Sequence, residues 1–307
     1  MADPTATAVR SGPMVVAALA PADLRPDIDD LTGAVRTDAR RADLSAADAA
    51  ALEYALRVAD ARSGWVLAVA SGPPAAEAVL AGAAALGATA VLIAEAAHEG
   101  REPVLVGPAD LAGDPAATAT ALADAIGRFG TPALVICGDR SPAHGVGAVP
   151  ALMADALGLD QALGLVNLAV EGPDRLVAER RLDGGWRERI EITGPAVVSV
   201  EAAGVRLRRA SLAAALATTG SAVTHLAPTT GPAATVQYGR PRPYRPRTRP
   251  VPPPTGDPRQ RLLALTGALS TREPPRIVGP LGAPDAADEV LRFLERSGAL
   301  PPSAIQP

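Results

Sequence analysis

The sequence predicts an α/β fold built on a mostly parallel sheet, and three observations carry this prediction. Short apolar runs, typical of strands buried on both faces, alternate with longer segments of helical spacing. Glycine or proline stands at the end of most of these segments, where a strand would pass into a helix. The chain of 307 residues is 48% apolar and 20% charged, so it can close a sizeable hydrophobic core. Strand–helix–strand units of this kind are connected by right-handed crossovers.

The first strand and the first helix have the clearest patterns. Met14 to Ala20 is an uninterrupted apolar run before Pro21, which predicts a buried strand. Ala46 to Asp60 places alanine and leucine at helical spacing, and Ser45 is a candidate N-cap. The same alternation continues along the chain. It predicts strands over 65–70, 88–94 and 132–137, and helices over 74–86, 117–129 and 149–157.

Beyond Gly158 the pattern changes to short segments with partial alternation, joined by glycine-containing turns. These segments predict antiparallel strands that extend the sheet or lie against its edge. They cover residues 163–170, 175–181, 187–192 and 196–200. From Pro228 to Pro258 the sequence is rich in proline, glycine and arginine, which favours an extended arm. The predicted organisation is a disordered N-terminus (1–13), an α/β domain (14–227) and a Pro/Arg-rich arm (228–307) with short helices near 259–268 and 285–297.

Composition argues against several classes of function. Cys137 is the one cysteine and the chain has three histidines, which argues against a disulfide framework and a metal centre. No apolar run is long enough to span a membrane and no signal peptide is recognisable, so we expect a cytoplasmic protein without membrane insertion. Seven aromatic residues and a net charge of -4 argue against nucleic-acid binding. The chain has no lysine, which rules out a Walker-type phosphate loop, and no Ser-His-Asp set that would indicate an enzyme is evident.

The stretch from Glu179 to Val200 contains basic residues, an Asp183-Gly184-Gly185 turn, the nearby acid Glu188 and a proline before a hydrophobic strand. In this order these features resemble the signature of electron transfer flavoprotein beta subunits. Ser45 to Arg57 is similar to a family helix that ends in a Glu-Ala-Leu-Arg-like run. The resemblance runs from about Met14 to Leu226. The longer Pro/Arg-rich tail resembles actinobacterial members that are associated with mycofactocin clusters.

The resemblance implies a Rossmann-like sheet of the adenine nucleotide alpha hydrolase type and a heterodimer. In this family an alpha subunit holds most of the redox FAD, and the beta chain forms a shallow bowl that supplies no catalytic residue. The beta chain also buries AMP or, in bifurcating relatives, a second FAD. Such a pair shuttles electrons from client dehydrogenases to a downstream acceptor, for example a membrane quinone oxidoreductase. The alternative is a stand-alone adenine-nucleotide-binding module of the universal-stress type, which should form a homodimer and has no reason to carry the hairpins of 163–200.

The resemblance also implies a nucleotide site at the carboxyl edge of the parallel strands, where open α/β sheets bind ligands. The adenine would contact Ala18 and Ser71, and the phosphate would meet the loop from Gly138 to Val149. Glycines in this loop let the backbone approach an anion, and the helix start offers unpaired N–H groups. An ordinary strand-to-helix loop is the alternative, and Ser45 and Ser71 are equally well explained as a cap and a turn former. The implied contacts are Ala18, Ser45, Ser71, Gly138, Arg140, Gly145, Val146, Gly147, Ala148 and Val149.

This loop departs from the family pattern. Where AMP-binding members carry Asn-Gln-Thr, this chain has Gly147-Ala148-Val149 followed by Pro150, so those side-chain ligands for a phosphate are absent. Three outcomes stay open: backbone amides and Arg140 suffice, FAD takes the place of AMP, or the pocket is empty. His144 in the same loop is either a phosphate contact or a solvated histidine.

A second implied site concerns partner proteins. By resemblance Leu212 lies where beta subunits present a hydrophobic anchor to client dehydrogenases, and the alternative is a core leucine of a helix over 211–217. The arginine-proline tract over 240–249 is interpreted as an arm on the alpha chain, with a free linker as the alternative. Three arginines near Leu212 either steer acidic partners or form a solvated strand edge. They are Arg206, Arg208 and Arg209.

Overall fold

The computed structural model describes residues 11–94, 114–143, 145–172, 175–218, 222–227, 243, 245, 254–267 and 277–299. The chain forms two compact units, residues 1–244 and residues 245–307. The predicted disordered N-terminus lies mostly outside the described residues, and the arginine-proline tract over 240–249 lies almost wholly outside them.

Strands and helices alternate through most of the first unit, as the sequence predicts. The strands are β1 (Met14–Leu19), β2 (Ala22–Asp23), β3 (Asp27–Ile28), β4 (Val35–Arg36), β5 (Ala42–Asp43), β6 (Trp65–Gly72), β7 (Thr89–Ala94), β8 (Leu134–Gly138), β9 (Asp160–Val170), β10 (Leu176–Arg181), β11 (Arg187–Ile192), β12 (Ala196–Val200) and β13 (Val223–Leu226). The helices are α1 (Ala46–Ala61), α2 (Glu77–Ala85), α3 (Pro115–Gly127), α4 (Val149–Leu157) and α5 (Leu212–Ala217), and the second unit contains α6 (Pro258–Leu265) and α7 (Ala283–Arg296).

A central sheet of nine strands has the order β11-β10-β9-β12-β8-β1-β6-β7-β13. In this spatial order, each strand from β9 through β12, β8, β1, β6 and β7 to β13 runs parallel to its neighbour. At the other edge, β10 is antiparallel to β9, and β11 is antiparallel to β10. The short strands pair separately, β2 with β5 and β3 with β4. The predicted α/β fold, with a mostly parallel sheet and added antiparallel strands, is confirmed.

Helices cover both faces of this sheet. The side chains of β1 alternate between two buried clusters: Val15 and Ala17 share one with residues of α1 and α2, and Val16 shares the other with residues of α3 and α4. Because both faces of the strand are buried, its sequence shows no alternation of polar and apolar residues. This is why β1 is recognisable as one continuous apolar run.

Helix boundaries follow their capping residues. Ser45 Oγ accepts a hydrogen bond from the Asp48 backbone N–H at 3.0 Å, which confirms the predicted N-cap of α1. α3 begins at Pro115, two residues before its predicted start, because the Asp114 side chain accepts hydrogen bonds from backbone N–H groups of its first turn. α4 spans its predicted range.

One predicted strand direction is wrong. The sequence predicts Ala196–Val200 as antiparallel, but β12 lies between β8 and β9 and runs parallel to both. All five of its residues are buried, because the strand is covered on both faces. The lack of strict alternation in Ala-Val-Val-Ser-Val is the local sign of that position. β13 and the short strands between residues 22 and 43 have no counterpart in the prediction.

The second unit contains α6 and α7, close to the positions predicted for the two C-terminal helices. α6 is capped by Asp257, whose side chain accepts a hydrogen bond from the Gln260 N–H at 2.9 Å. On α7 the side chains of Val290 and Phe293 are exposed. Across the described residues of both units, no helix has the length and apolar character needed to cross a membrane.

Candidate functional site

The chain reverses its direction along the sheet at β1. From β1 it passes to β6 and then to β7 on one side, and it later places β8 on the other side of β1. The carboxyl ends of parallel strands lie at one edge, and open α/β sheets bind ligands where such a reversal leaves a crevice. The candidate site is therefore the edge formed by the ends of β1, β6 and β8, together with the residues that follow them.

Three of the predicted contacts lie at this edge. Ala18 on β1 is 7% exposed and is paired in register with Cys137 on β8 and Val69 on β6. Ser71 is the next-to-last residue of β6, and Gly138 is the last residue of β8. The structure thus brings together strand-end residues that are far apart in the sequence.

Ser71 has a buried hydroxyl without a partner. Its Oγ is shielded from solvent and makes no hydrogen bond within the part of the chain that the structure describes. A buried polar atom without a partner costs about 1–3 kcal/mol, so such an atom is a candidate for contact with a ligand. The Thr89 hydroxyl is also buried without a hydrogen-bond partner among the described residues, but it lies at the start of β7, on the opposite edge of the sheet.

The sequence prediction missed Asp48, a buried acid in the first turn of α1. The residue is 2% exposed, and its Oδ2 accepts a hydrogen bond from Ser45 Oγ at 2.6 Å. Gly138 lies directly against it, because a Cβ on that glycine would stand 2.9 Å from Asp48 Oδ1. The pKa of Asp48 is raised to about 7, mainly by burial and also by the negative charge of Asp139. Hydrogen bonds from Ser45 and from the Ala20 backbone act in the opposite direction.

In the loop that follows β8, the charged side chains of Asp139 and Arg140 pair with each other. The Asp139 N–H bonds the Val200 carbonyl of β12 at 3.0 Å, which fixes the start of the loop. Arg140 donates from Nε and Nη2 to Asp139 Oδ2, at 3.0 and 2.9 Å. The cation expected to meet a phosphate is therefore paired with a carboxylate. His144, the other predicted candidate in this loop, lies outside the described residues.

Glycine is required where the loop turns towards α4. A Cβ on Gly147 would stand 2.5 Å from the backbone oxygen of Asp139, which is too close for any real Cβ contact. Gly145 has a left-handed φ of 65°, and Val146 between the two glycines is 40% exposed. The backbone of Gly147 thus lies close to the backbone of Asp139, the residue that follows β8.

The helix after this loop starts without a side-chain cap. Ala148 is the N-cap of α4, Val149 is its first residue, and Pro150 in the first turn carries no N–H. These residues can offer an anion backbone N–H groups but no side-chain donor. The fit to the predicted nucleotide is therefore uneven: the Ser71 end has an unpartnered hydroxyl, and the α4 end lacks side chains that hold a phosphate.

Replacing Gly147 with alanine should destabilise the protein by about 1–3 kcal/mol, because the new methyl group forces the loop away from Asp139. Chemical denaturation measures this free energy of unfolding. Gly82→Ala is the matched control: Gly82 is exposed within α2, with open space where a Cβ would lie. That variant should match the parent or gain up to about 1 kcal/mol. Equal effects of the two substitutions would contradict the close approach of the loop.

The predicted partner site is exposed. Leu212 and Leu216 on α5 are 76% and 66% exposed, so the alternative of a core leucine at position 212 is wrong. Arg206 and Arg209 before this helix are exposed as well. A role of these residues in docking stays a prediction.

Arg208 binds within the chain. Its Nε lies 3.1 Å from Glu53 Oε2 and its Nη1 lies 2.8 Å from Asp60 Oδ2, both on α1. Glu53 is 3% exposed and also accepts a hydrogen bond from Arg57 Nε at 2.8 Å. Burial alone would raise the pKa of Glu53, but the bonds from Arg208 and Arg57 outweigh it and hold that pKa below its ordinary value. Arg208 therefore anchors the segment before α5 to α1.

Comparisons with known proteins point to one family. The sequence model of the electron transfer flavoprotein domain matches residues 32–229. Proteins named electron transfer flavoprotein subunit beta from Mycobacterium tuberculosis and Mycobacterium bovis are 42% identical over 83 residues, which cover 27% of this chain and 30% of each relative. A protein of the same name from Thermoanaerobacterium thermosaccharolyticum is 32% identical over 153 residues, which cover 50% of this chain and 53% of the relative. The chain thus spans about half the length of these curated relatives or less, and the matches confirm the resemblance to beta subunits.

Proposed function

The chain belongs to the electron transfer flavoprotein family, and we propose that it is the beta subunit of a two-chain electron carrier. The observation that carries the proposal is the family match over 32–229, which includes the hairpin of β10 and β11. The structure gives a physical reason for the Asp-Gly-Gly signature in that hairpin. Gly184 and Gly185 have φ values of 69° and 82°, a left-handed conformation that favours glycine.

Beta subunits of this family are electron-transfer components and not catalytic enzymes. In the proposed complex an alpha subunit holds most of the FAD, which supplies the electron-accepting chemistry when bound. This chain binds and orients that subunit. Electrons pass from client dehydrogenases to a downstream acceptor, for which a membrane quinone oxidoreductase is one candidate.

The proposed contact for client dehydrogenases is the exposed side of α5. Leu212 and Leu216 give that helix two large apolar side chains in solvent, and Arg206 and Arg209 give the preceding segment positive charge. Exposed apolar groups beside cations suit an acidic partner surface with an apolar centre. The arm over 240–249 on the alpha chain and the mycofactocin association of the tail remain predictions.

The proposed adenine contacts are Ala18 and Ser71, at the strand ends beside the topological reversal. Among the described residues the buried Ser71 hydroxyl has no hydrogen-bond partner, which supports this role. Gly138 and Ser45 shape the crevice indirectly, since Gly138 admits the first turn of α1 and Ser45 caps it. AMP and a second FAD both require a phosphate site. Arg140 in the loop is paired with Asp139, and the first residues of α4, Val149 and Pro150, carry no side-chain donor. The proposed electron transfer does not require a nucleotide bound to this chain.

Co-expression of this chain with an alpha-type flavoprotein chain of the same organism tests the proposal. A tag on this chain alone should recover an equimolar complex with the visible absorbance of a flavin, whereas this chain expressed by itself should carry little or none. The mass of each species distinguishes the alternative. A homodimer of this chain that never retains a flavin-containing partner would contradict the proposal and favour a universal-stress-type module.

A further inference from the structure

Helix α5 makes few contacts that could orient it. None of its six residues, all of which the structure describes, is buried, and Leu212 and Leu216 are mostly exposed. α5 lies beside α2, and a helix of this length is only marginally stable by itself. Its position therefore depends largely on what holds the chain at its two ends, which are the segment before it and β13 after it.

The segment before α5 is held on one side by apolar contacts. Val205 and Leu207 are partly buried and pack against the cluster that contains residues of α1 and α2. Arg206 between them is exposed, as expected where an extended chain points successive side chains to opposite faces. These apolar contacts end before Arg208, so other bonds must orient the residues that lead into α5.

Arg208 supplies these bonds, because it is hydrogen-bonded to α1 four times. Its backbone N–H donates to Glu53 Oε2 at 3.0 Å, and its Nε and Nη2 donate to the same carboxylate at 3.1 and 3.3 Å. Its Nη1 donates to Asp60 Oδ2 at 2.8 Å. The Glu53 side chain is 4% exposed, and charge-assisted bonds to a carboxylate are strong and directional. Both the main chain and the side chain of Arg208 are therefore held against α1, shortly before α5 begins.

The neighbouring arginines differ from Arg208 in this respect. Arg206 and Arg209 are exposed, and neither makes an ion pair or a side-chain hydrogen bond with another residue that the structure describes. Their charges are available to an acidic partner, whereas the charge of Arg208 is already neutralised by two carboxylates. The three arginines look alike in the sequence, but the fold gives Arg208 a different set of contacts.

We propose that Arg208 is a positioning residue for the docking of client dehydrogenases. Through Glu53 and Asp60 it holds the segment before α5, and thereby Leu212, in the orientation that the dehydrogenase binds. Arg208 does not contact the dehydrogenase itself. The inference rests on the proposed function, because α5 as the contact for client dehydrogenases is part of that proposal.

Steady-state kinetics of the complete two-chain complex tests this role. The electron donor is a purified dehydrogenase of the same organism that reduces the parent complex, and a redox dye is the final electron acceptor. Arg208→Met should raise the KM of the dehydrogenase for the complex about five- to tenfold, as expected when an apolar anchor is misplaced, while kcat and flavin content stay within about twofold of the parent. Arg57→Met is the matched control, since it removes the other arginine bonded to Glu53, and it should leave the KM unchanged. An unchanged KM in Arg208→Met would overturn the proposal.

A double-mutant cycle separates positioning from direct contact. Leu212→Ala truncates the anchor and should raise the KM by a similar factor. If Arg208 acts only through α5, the double variant Arg208→Met/Leu212→Ala should have about the same KM as Leu212→Ala, because the second substitution removes an interaction that is already lost. If the two increases multiply in the double variant, Arg208 contributes to docking independently of Leu212, and the proposal is overturned.

A compensated variant distinguishes positioning from a loss of stability. Arg208→Met leaves the buried Glu53 carboxylate without this partner, which destabilises the chain. Glu53→Met/Arg208→Met removes both charges of the pair, so the free energy of unfolding should fall less than in Arg208→Met. Its KM should still be raised as far as that of Arg208→Met. A return to the parent KM in this variant would overturn the proposal, because the effect of Arg208→Met would then come from the unpaired charge.

The proposed docking contact is tested separately from the positioning role. If Leu212→Ala and Arg208→Met both keep the parent KM, the dehydrogenase binds elsewhere, and the contact on α5 is overturned together with the role of Arg208. If only Leu212→Ala raises the KM, the contact stands and the positioning role is overturned. Neither result bears on flavin co-purification, which tests the two-chain complex independently.

Discussion

Replacing Asp48 with asparagine should make the protein more stable than the parent at pH 8, by up to about 4 kcal/mol, and no more stable at pH 4. The folded-state pKa of Asp48 is about 7 and its ordinary value is 3.8, so the folded protein holds this proton more tightly than the unfolded chain does. The parent should therefore lose about 1.4 kcal/mol of stability for each pH unit as the pH rises between these two values. Asparagine has the same shape and cannot ionise. Urea denaturation across this pH range measures the difference.

Asp29→Asn is the control, and it should change the free energy of unfolding in the opposite direction. Backbone N–H groups of Leu31 and Thr32 hold the pKa of Asp29 below its ordinary value. Its stabilising contribution is therefore present above the ordinary pKa and is lost as the pH falls through the folded value. The Asp29 variant should lose stability at neutral pH, where the Asp48 variant gains it. Parallel stability curves for Asp48→Asn and the parent from pH 4 to pH 8 would show that Asp48 is not protonated by burial.

Local patterns were enough to predict most of the first unit. Ser45 is recognisable as a cap because its hydrogen bond spans only three residues, and β1 because burial on both faces leaves a continuous apolar run. The direction of β12 could not be predicted in this way. It depends on which strands lie beside it, β8 and β9. The lack of alternation in Ala196–Val200 indicates burial on both faces, but it does not identify those neighbours.

Local sequence patterns were likewise not enough to predict all the residues of the candidate site. The spacing of Ser45 and Asp48 resembles a capping box, with aspartate in place of the usual glutamate. From the sequence alone, this capping role is enough to explain an acid at position 48, and nothing indicates that the acid is buried. Its pKa is raised mainly by burial, and one residue that lies against the carboxyl group is Gly138, about ninety residues away in the sequence. Likewise, Arg208 is predicted as a partner contact because clustered arginines suggest a charged surface. Only the fold shows that Glu53 lies within reach.

Replacing Glu53 with glutamine should lower the free energy of unfolding by about 2–3 kcal/mol at neutral pH. The Glu53 side chain is 4% exposed, and its Oε2 accepts from the Arg208 backbone N–H at 3.0 Å and from Arg208 Nε at 3.1 Å. Glutamine removes the charge and turns one acceptor into a donor that faces arginine donors. Since the pKa of Glu53 is held below its ordinary value of 4.5, this stabilisation is present above that pH and is lost as the pH falls through the folded value.

The loss should be concentrated in the segment before α5, because Glu53 bonds the backbone of Arg208 as well as its side chain. Hydrogen exchange should therefore speed up at the Arg208 amide more than in the buried strands of the sheet, which open only with global unfolding. Arg57→Met is the matched control, because it removes the other arginine that is bonded to Glu53. The Arg57 side chain is 51% exposed, so this variant should lower the free energy of unfolding by less than about 0.5 kcal/mol. If Glu53→Gln left exchange at Arg208 unchanged, other contacts would have to hold this segment, and the position of α5 would not depend on the buried acid of α1.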